Sequence, residues 1–206
     1  MTIVYRRGVP EDKRLEAAYL YDEAFGAKFS VAIPNREERI HLLSASFHLD
    51  FAFCALRGND LVGLAGFQVK GDSLTSGMTY RTILSHLGVL RGNWAAMILS
   101  LYERTPAPGE LVMDGIAVKS EVRGQGVGTA LLNDLISYAT DEKFSKIRLD
   151  VIDTNSSAKK LYEKCGFSAV CTERFEYLRW LLGFGASTTM KFTVPATARS
   201  EVSATD

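Results

Sequence analysis

The fold is decided by one stretch of the sequence, Asp114-Gly-Ile-Ala-Val-Lys-Ser-Glu-Val-Arg-Gly-Gln-Gly-Val-Gly-Thr129. An apolar run typical of a strand leads into a turn with three glycines, and a helical pattern follows at once. The first amide groups of a helix have no partner within it, and the helix dipole makes that end positive. Because glycines let the backbone approach a ligand closely, the stretch predicts a site for a phosphate or pyrophosphate.

Hydrophobic patterning around this stretch predicts an α/β fold with a sheet of mixed direction. We expect Pro34 to be the first residue of the second helix and Gly166 to form a left-handed C-terminal cap after the last helix. The expected elements in chain order are strand 3–5, helix 11–25, a helix from Pro34, hairpin strands 51–56 and 61–69, loop 71–77, a helical segment 79–104, strand 111–118, helix 126–141, strand 146–152, helix 156–165 and strands 167–172 and 188–194.

Helical periodicity also assigns core-facing residues. We expect the first helix to bury Leu15, Ala18 and Tyr19, and the second to bury Ile40, Leu43 and Phe47. The segment 79–104 has a longer stripe, which Gly88 and Gly92 weaken. Its members are Ile83, Leu87, Leu90, Trp94, Ile98 and Leu101.

Composition excludes several classes of protein. The chain has 206 residues, 47% of them hydrophobic, with 24 basic and 24 acidic side chains. A balanced charge argues against a general nucleic-acid or membrane binder. The N-terminus lacks the pattern of a secretory signal, so we expect a cytoplasmic protein. Its three cysteines, Cys54, Cys165 and Cys171, match no metal-ligand spacing, so we expect reduced thiols and no metal.

Three kinds of phosphate site compete for the glycine turn. A Walker-type loop requires G-x-x-x-x-G-K-[ST], and no lysine stands at the required place. A dinucleotide site requires G-x-G-x-x-G and an acidic residue about 20 positions later. Asp150 lies at roughly that distance, but the glycines here follow G-x-G-x-G and little chain remains for a dinucleotide domain. The third candidate is coenzyme A, whose pyrophosphate needs the same backbone cradle.

Three motifs in order resemble the GNAT N-acetyltransferase family. Arg123-Gly-Gln-Gly-Val-Gly128 is similar to the family's acyl-CoA loop, R/Q-x-x-G-x-G/A. Ile116-Ala-Val118 resembles its bulged fourth strand, and Asn155-Ser-Ser-Ala-Lys-Lys-Leu-Tyr-Glu-Lys-Cys-Gly-Phe167 looks like its N-x-x-A-x-x-L-Y-x-x-x-G-F helix. The resemblance covers about a quarter of the chain densely and implies a mostly antiparallel sheet flanked by helices.

The resemblance implies an acyl-CoA site with acetyl-CoA as co-substrate. Backbone amides of the loop would bind the pyrophosphate, and the strand would bind the pantetheine arm and polarise the thioester carbonyl. The implied binding residues are Ile116, Ala117, Val118, Arg123, Gly124, Gln125, Gly126, Val127, Gly128, Thr129 and Asn155. For Arg123 the sequence leaves open whether its side chain contacts phosphate, and Asn155 also suits a helix N-cap.

The resemblance assigns catalytic roles to two further residues. Tyr162 stands where many family members use a phenol to protonate the departing thiolate, although periodicity alone would make it a core residue. Asp114 stands where some members place the base that deprotonates the acceptor amine; a water chain is the alternative. Such a base is needed because an alkylammonium has a pKa of about 10.4.

We therefore predict an acyl-CoA-dependent N-acetyltransferase in which an amine attacks the thioester directly, without an acyl-enzyme. Residues 1–194 would form one domain with a helical insertion at 71–109 between the family's third and fourth strands, and 195–206 a disordered tail. The acceptor would be a small-molecule or peptide amine, with no nucleic acid or membrane and a homodimer as an option. A non-catalytic acyl-CoA-binding regulator and a dinucleotide-binding domain are the alternatives.

Overall fold

The computed structural model describes residues 2–101, 105–179 and 183–195. The predicted strands and helices are all present, with shifted ends. The strands are β1 Ile3–Arg7, β2 Ala52–Arg57, β3 Asp60–Val69, β4 Asp72–Ser73, β5 Glu110–Val118, β6 Lys146–Ile152, β7 Ser168–Arg174 and β8 Ala186–Thr193. The helices are α1 Arg14–Ser30, α2 Arg36–Ser46, α3 Tyr80–Ser100, α4 Val127–Asp141 and α5 Ser156–Lys164.

The strands form one mixed sheet in the order β1-β2-β3-β5-β6-β8-β7, and the short β4 pairs with β3. Strands β5 and β6 are parallel, and the other neighbours are antiparallel. This arrangement confirms the predicted α/β class and the mostly antiparallel sheet. The parallel pair lies at the centre, next to the glycine turn that follows β5.

Helices cover the sheet from both sides. Helix α4 buries the stripe Val127, Leu131, Leu132, Leu135 and Ala139 against β2, β3, β5 and β6. On the opposite face α1 packs on β3 and β5, and α2 packs against α1. Each large apolar side chain buried in this way contributes roughly 1.5–3 kcal/mol to folding. The helices on the two faces of the sheet hold β5 in place, so the glycine turn begins at the end of a fixed strand.

Two predictions about the first helices were wrong. Leu15 is 48% and Tyr19 49% exposed, and the residues that α1 buries are Ala17, Ala18, Leu20, Tyr21, Asp22 and Gly26. The second helix begins at Arg36 rather than at Pro34, because the Asn35 side chain accepts a bond from Glu38 N at 3.2 Å as its N-cap.

The predicted stripe on α3 is broken. Gly88 has non-helical angles, φ 75° and ψ 173°, so the segment is two helices joined at a kink. Ile83 and Leu87 are buried before the kink, whereas Leu90 is 89% exposed after it. The kink changes the rotational phase, and Gly92, Ala95 and Ile98 face the core in the second half. Trp94 and Leu101 were therefore placed on the wrong face.

Other expectations concern loops and termini. The expected loop 71–77 contains the strand β4. Gly166 has φ 89° behind α5, as a left-handed cap requires. Residues 196–206 of the predicted tail lie outside the described residues. Within the described ranges, no helix is long and apolar enough to cross a membrane.

Candidate active site

The glycine turn places a group of backbone donors at the start of α4. Gly126 is the N-cap with φ 84°, and no side chain caps the helix. In the described part of the chain, the amides of Gly124 and residues 126–129 form no hydrogen bond outside regular structure. A Cβ at Gly124 or Gly126 would meet nothing within 4 Å. The turn is therefore open above a positive helix end, which is what an anionic ligand requires.

The side chains of Arg123 and Gln125 in this turn form hydrogen bonds within the protein. Arg123 Nε donates to Val118 O at 3.0 Å, and its Nη2 donates to Glu23 Oε1 at 3.3 Å. Gln125 Nε2 donates to Glu121 O at 3.0 Å. Arg123 thus bridges the end of β5 and α1, a connection that the sequence did not indicate.

Strand β5 has the bulge that the resemblance implied. Gly66 of β3 pairs with Gly115 and Phe67 pairs with Met113, so Asp114 is the extra residue. A Cβ on Gly115 would collide with the Phe25 ring of α1, which explains the glycine. The bulge turns the backbone of the next three residues, and Ala117 is buried while Ile116 and Val118 are half-buried.

The two central strands stop pairing just before the bulge. Strands β5 and β6 pair only from Glu110–Lys146 to Val112–Arg148, after which β6 continues beside β8. The inner edges of β5 at 113–118 and β6 at 149–152 consequently face each other without ladder bonds. Unpaired strand edges are ready to bind an extended chain that has its own donors and acceptors.

Asp114 lies in an unusual electrostatic position. Its Oδ2 is buried and has no hydrogen-bond partner among the described residues. Burial raises the pKa of this carboxyl to about 6. The nearby Lys28 charge, and donors from Leu74 and Ser73, oppose the rise without cancelling it. A carboxyl with a pKa of about 6 is mostly ionised at pH 7 and can accept a proton.

Tyr162 is buried with 5% exposure, and burial raises the pKa of its phenol. It packs near Phe167, with ring centroids 6.1 Å apart, in the cluster that also contains Val151 of β6. Its neighbour Leu161 approaches Gly128 of α4, where a Cβ would be 3.2 Å from Leu161 Cδ2. Helix α5 therefore packs against both the glycine turn and the strand beside the opening.

Asn155 performs the N-cap function at the start of α5. Its Oδ1 accepts bonds from Ala158 N and Ser157 Oγ, each at 3.1 Å. Thr129, in contrast, is exposed on the first turn of α4.

A cleft of about 1560 Å³ includes Asp114, and its lining comes from α1, the segment 71–109, the C-terminal end of α4 and the strands β6 to β8. Sequence reasoning missed most of its lining. Tyr21, Lys28 and Phe29 line it from α1, and the segment 71–109 supplies another wall. The spacing of Tyr21, Phe25 and Phe29 is a helical signal that could have identified the α1 wall. Trp94 is not among the lining residues; its Nε1 donates to Val31 O at 3.3 Å.

The structure thus separates two groups of predicted residues. The glycine turn, α5 and Tyr162 lie on the α4 side of the sheet, whereas Asp114 borders the cleft. The residues of the first group are not among those that line the cleft. Among the described residues, no group of three His, Cys, Asp or Glu side chains is placed to hold a metal ion.

Comparison with known proteins identifies this arrangement. The model of the acetyltransferase (GNAT) family matches residues 17–167, which is most of the chain. The chain belongs to the GNAT family. Solved GNAT structures share its fold: the ribosomal-protein-S18-alanine N-acetyltransferase from Escherichia coli superposes with a TM-score of 0.58 at 17% identity, covering 97% of this chain and 98% of that one. An N-acetyltransferase from Staphylococcus aureus Mu50 gives 0.60 at 15% identity, covering 95% and 100%.

Curated GNAT relatives match over shorter segments. Thialysine N-epsilon-acetyltransferase from Bos taurus is 38% identical over 56 residues, which is 27% of this chain and 33% of that protein. Streptothricin acetyltransferase A from Bacillus subtilis is 39% identical over 59 residues, 29% of this chain and 34% of that protein. The matched segment therefore spans about a third of these relatives.

Proposed function

We propose that this protein is an N-acetyltransferase that moves an acetyl group from acetyl-CoA to an amine. The observation that carries the proposal is the set of free amides at residues 124 and 126–129, directly beside the opening between β5 and β6. The amides suit the pyrophosphate of coenzyme A, and the strand edges suit the amide-containing pantetheine arm. Membership of the GNAT family supports the same co-substrate.

The proposed reaction is a direct transfer in a ternary complex. The neutral amine attacks the thioester carbonyl, so a C–N bond forms and the C–S bond breaks. Asp114 accepts the proton that the amine loses, and the buried phenol of Tyr162 donates a proton or hydrogen bond to the thiolate. A β5 amide just after the bulge, in the run Ile116–Val118, stabilises the negative charge on the carbonyl oxygen.

We propose that the acceptor enters through the cleft that α1 and the segment 71–109 line in part. Asp114 borders this cleft, and its raised pKa suits a proton acceptor near neutral pH. Residues 71–109, the proposed insertion in a single domain 1–194, contribute one wall. The cleft therefore supports an acceptor side that is separate from the coenzyme side.

An activity screen with acetyl-CoA tests this function. Amines from several classes are offered: aminoglycosides, polyamines, free amino acids, peptides with a free N-terminus or lysine, and thialysine, which names the bovine relative. The proposal predicts release of free thiol and an acetylated product for at least one class. Tight acetyl-CoA binding with no acetylation of any amine would favour a non-catalytic regulator.

A further inference from the structure

The guanidinium of Arg123 is held away from its own loop. Its Nε donates to Val118 O at the end of β5, at 3.0 Å. Its Nη2 donates to Glu23 Oε1 on α1, at 3.3 Å. Both partners lie outside residues 124–129, whose amides form the anion cradle. The side chain therefore connects the cradle to two rigid elements of the fold.

The buried side chains of Val122 and Val127 hold the two ends of the loop, and Gln125 Nε2 donates to Glu121 O, but the backbone between them has few other restraints. Two turn bonds, Arg123 N to Ser120 O at 3.2 Å and Gln125 N to Val122 O at 3.3 Å, are near the long end of the normal range. Gly124 and Gly126 have no neighbour that a Cβ would touch. Glycines without packing contacts leave the backbone free to move. A side-chain anchor would therefore fix the direction of the free amides.

Helix α1, which accepts this anchor, also shapes the other half of the site. Phe25 packs on Gly115 at the bulge of β5. Tyr21, Lys28 and Phe29 line the cleft that includes Asp114. Glu23 lies among these residues in sequence, within the same rigid helix. A shift of α1 at Glu23 would therefore also move the α1 residues that line the cleft.

We propose that Arg123 is a positioning residue: it joins the acyl-CoA loop to α1 through Glu23 and does not act as a phosphate ligand. The proposal rests on the proposed function, because it concerns the same acyl-CoA site. In this role Glu23 supports coenzyme A binding because it holds Arg123 in place. By its charge alone, an acidic side chain near an anion site should weaken that binding. The two effects therefore predict opposite changes in coenzyme A affinity when the charge of Glu23 is removed.

A double-mutant cycle on coenzyme A affinity tests the pair. Calorimetry with free coenzyme A compares wild type, Arg123→Ala, Glu23→Gln and the double variant. Arg123→Ala should raise Kd about tenfold, because it removes both anchors. Glu23→Gln should raise Kd about threefold, and the double variant should match Arg123→Ala alone. Arg123→Lys keeps the ion pair, so its Kd for coenzyme A should lie between those of wild type and Arg123→Ala.

Glu121→Gln is the matched control. It removes one acidic charge beside the same loop, and the Glu121 side chain forms no ion pair among the described residues. Kd for coenzyme A should stay the same or fall slightly in this variant. In acetylation assays, Arg123→Ala and Glu23→Gln should raise KM for acetyl-CoA and leave kcat and the melting temperature of the free protein near wild type.

Contradicting results are distinct. If Arg123 binds phosphate directly, Glu23→Gln should tighten coenzyme A binding, as Glu121→Gln does, and the two substitutions should be additive. Either result overturns the positioning role and leaves the proposed function intact. A wild-type protein that does not bind coenzyme A overturns both. Unchanged affinity in Arg123→Ala also overturns the positioning role, since the loop then needs no anchor.

Discussion

The segment from β5 to α5 and the segment 71–109 were interpreted from sequence by the same rules, with different success. In the first, the strand, the turn and both helices are where the motifs place them. In the second, a helix was also predicted, but the face of its C-terminal half was wrong because Gly88 breaks the period. A site built from the backbone can be predicted from the spacing of glycines. The buried face of a helix can be predicted only if every preceding turn of that helix is regular.

The difference also separates two halves of the proposed active site. The coenzyme side is built from amides and strand edges, and its side chains are partly replaceable. The acceptor side is built from side chains of α1, α3 and the loops, which no motif marks. Substitutions in the two regions should therefore affect different kinetic constants, and the following predictions use this contrast.

The largest effect is expected from Gly126→Glu. A left-handed φ of 84° is strained for glutamate, and its carboxylate would lie at the anion cradle. Like charges at close range cost several kcal/mol, which is a loss on the order of 100-fold or more in coenzyme A affinity. Calorimetry measures it. Gly88→Glu is the control, because its φ of 75° and open surroundings are similar but it lies in the 71–109 segment. Equal loss in both variants would show that backbone strain alone is responsible.

Tyr162→Phe should come next. If the phenol assists the thiolate, kcat should fall about 100-fold, while acetyl-CoA affinity stays near wild type. Steady-state kinetics and calorimetry on one preparation give both values. An unchanged kcat with a lower melting temperature would make Tyr162 a core residue that packs near Phe167.

Asp114→Asn should lower kcat/KM about tenfold at pH 7.5, a small value for a general base because water can relay the proton. The wild-type profile should rise with pH through about 6, where Asp114 ionises. That acid limb should be absent in the variant. A profile identical to wild type would assign proton removal to water alone.

The same substitution should stabilise the protein at neutral pH. The pKa of Asp114 is raised from 3.8 to about 6 by burial, so the folded state disfavours the ionised form. The resulting cost is absent below about pH 4 and complete above about pH 6 to 7. The melting temperature of Asp114→Asn should exceed that of wild type at pH 7.5, and the two should converge at pH 4. A lower melting temperature at pH 7.5 would mean that the carboxylate is stabilised by partners such as Lys28.

The smallest effects belong to α3. Leu99 lines the cleft and Trp94 does not, so Leu99→Ala should raise the acceptor KM a few-fold and Trp94→Ala should leave it unchanged. Both should spare the KM for acetyl-CoA. Sedimentation of Trp94→Ala tests the predicted dimer option, because Trp94 is half-exposed on the outer face. An acceptor effect from Trp94 alone would reverse the assignment of the two faces.

Physical reasons explain what sequence could and could not predict. The N-cap of α5 and the helix start after Gly126 depend on neighbours in the chain, so local patterns identify them, whereas a bulge in β5 was implied by the family resemblance alone. Phe25 against Gly115 and Arg123 with Glu23 join residues that are distant in sequence. Such contacts depend on the angle at which α1 crosses the strands of the sheet, and local residue spacing does not determine that angle. Most of the lining of the cleft was missed for the same reason.

Calorimetric titration of the wild-type protein, with acetyl-CoA and with NAD, tests the central claim most directly. The free amides at the start of α4 and the opening between β5 and β6 predict saturable binding of one acetyl-CoA per chain and no binding of NAD. Acetyl-CoA should also raise the melting temperature in proportion to the logarithm of its concentration above Kd. Binding of NAD without acetyl-CoA binding would contradict the claim and return the glycine turn to the dinucleotide alternative.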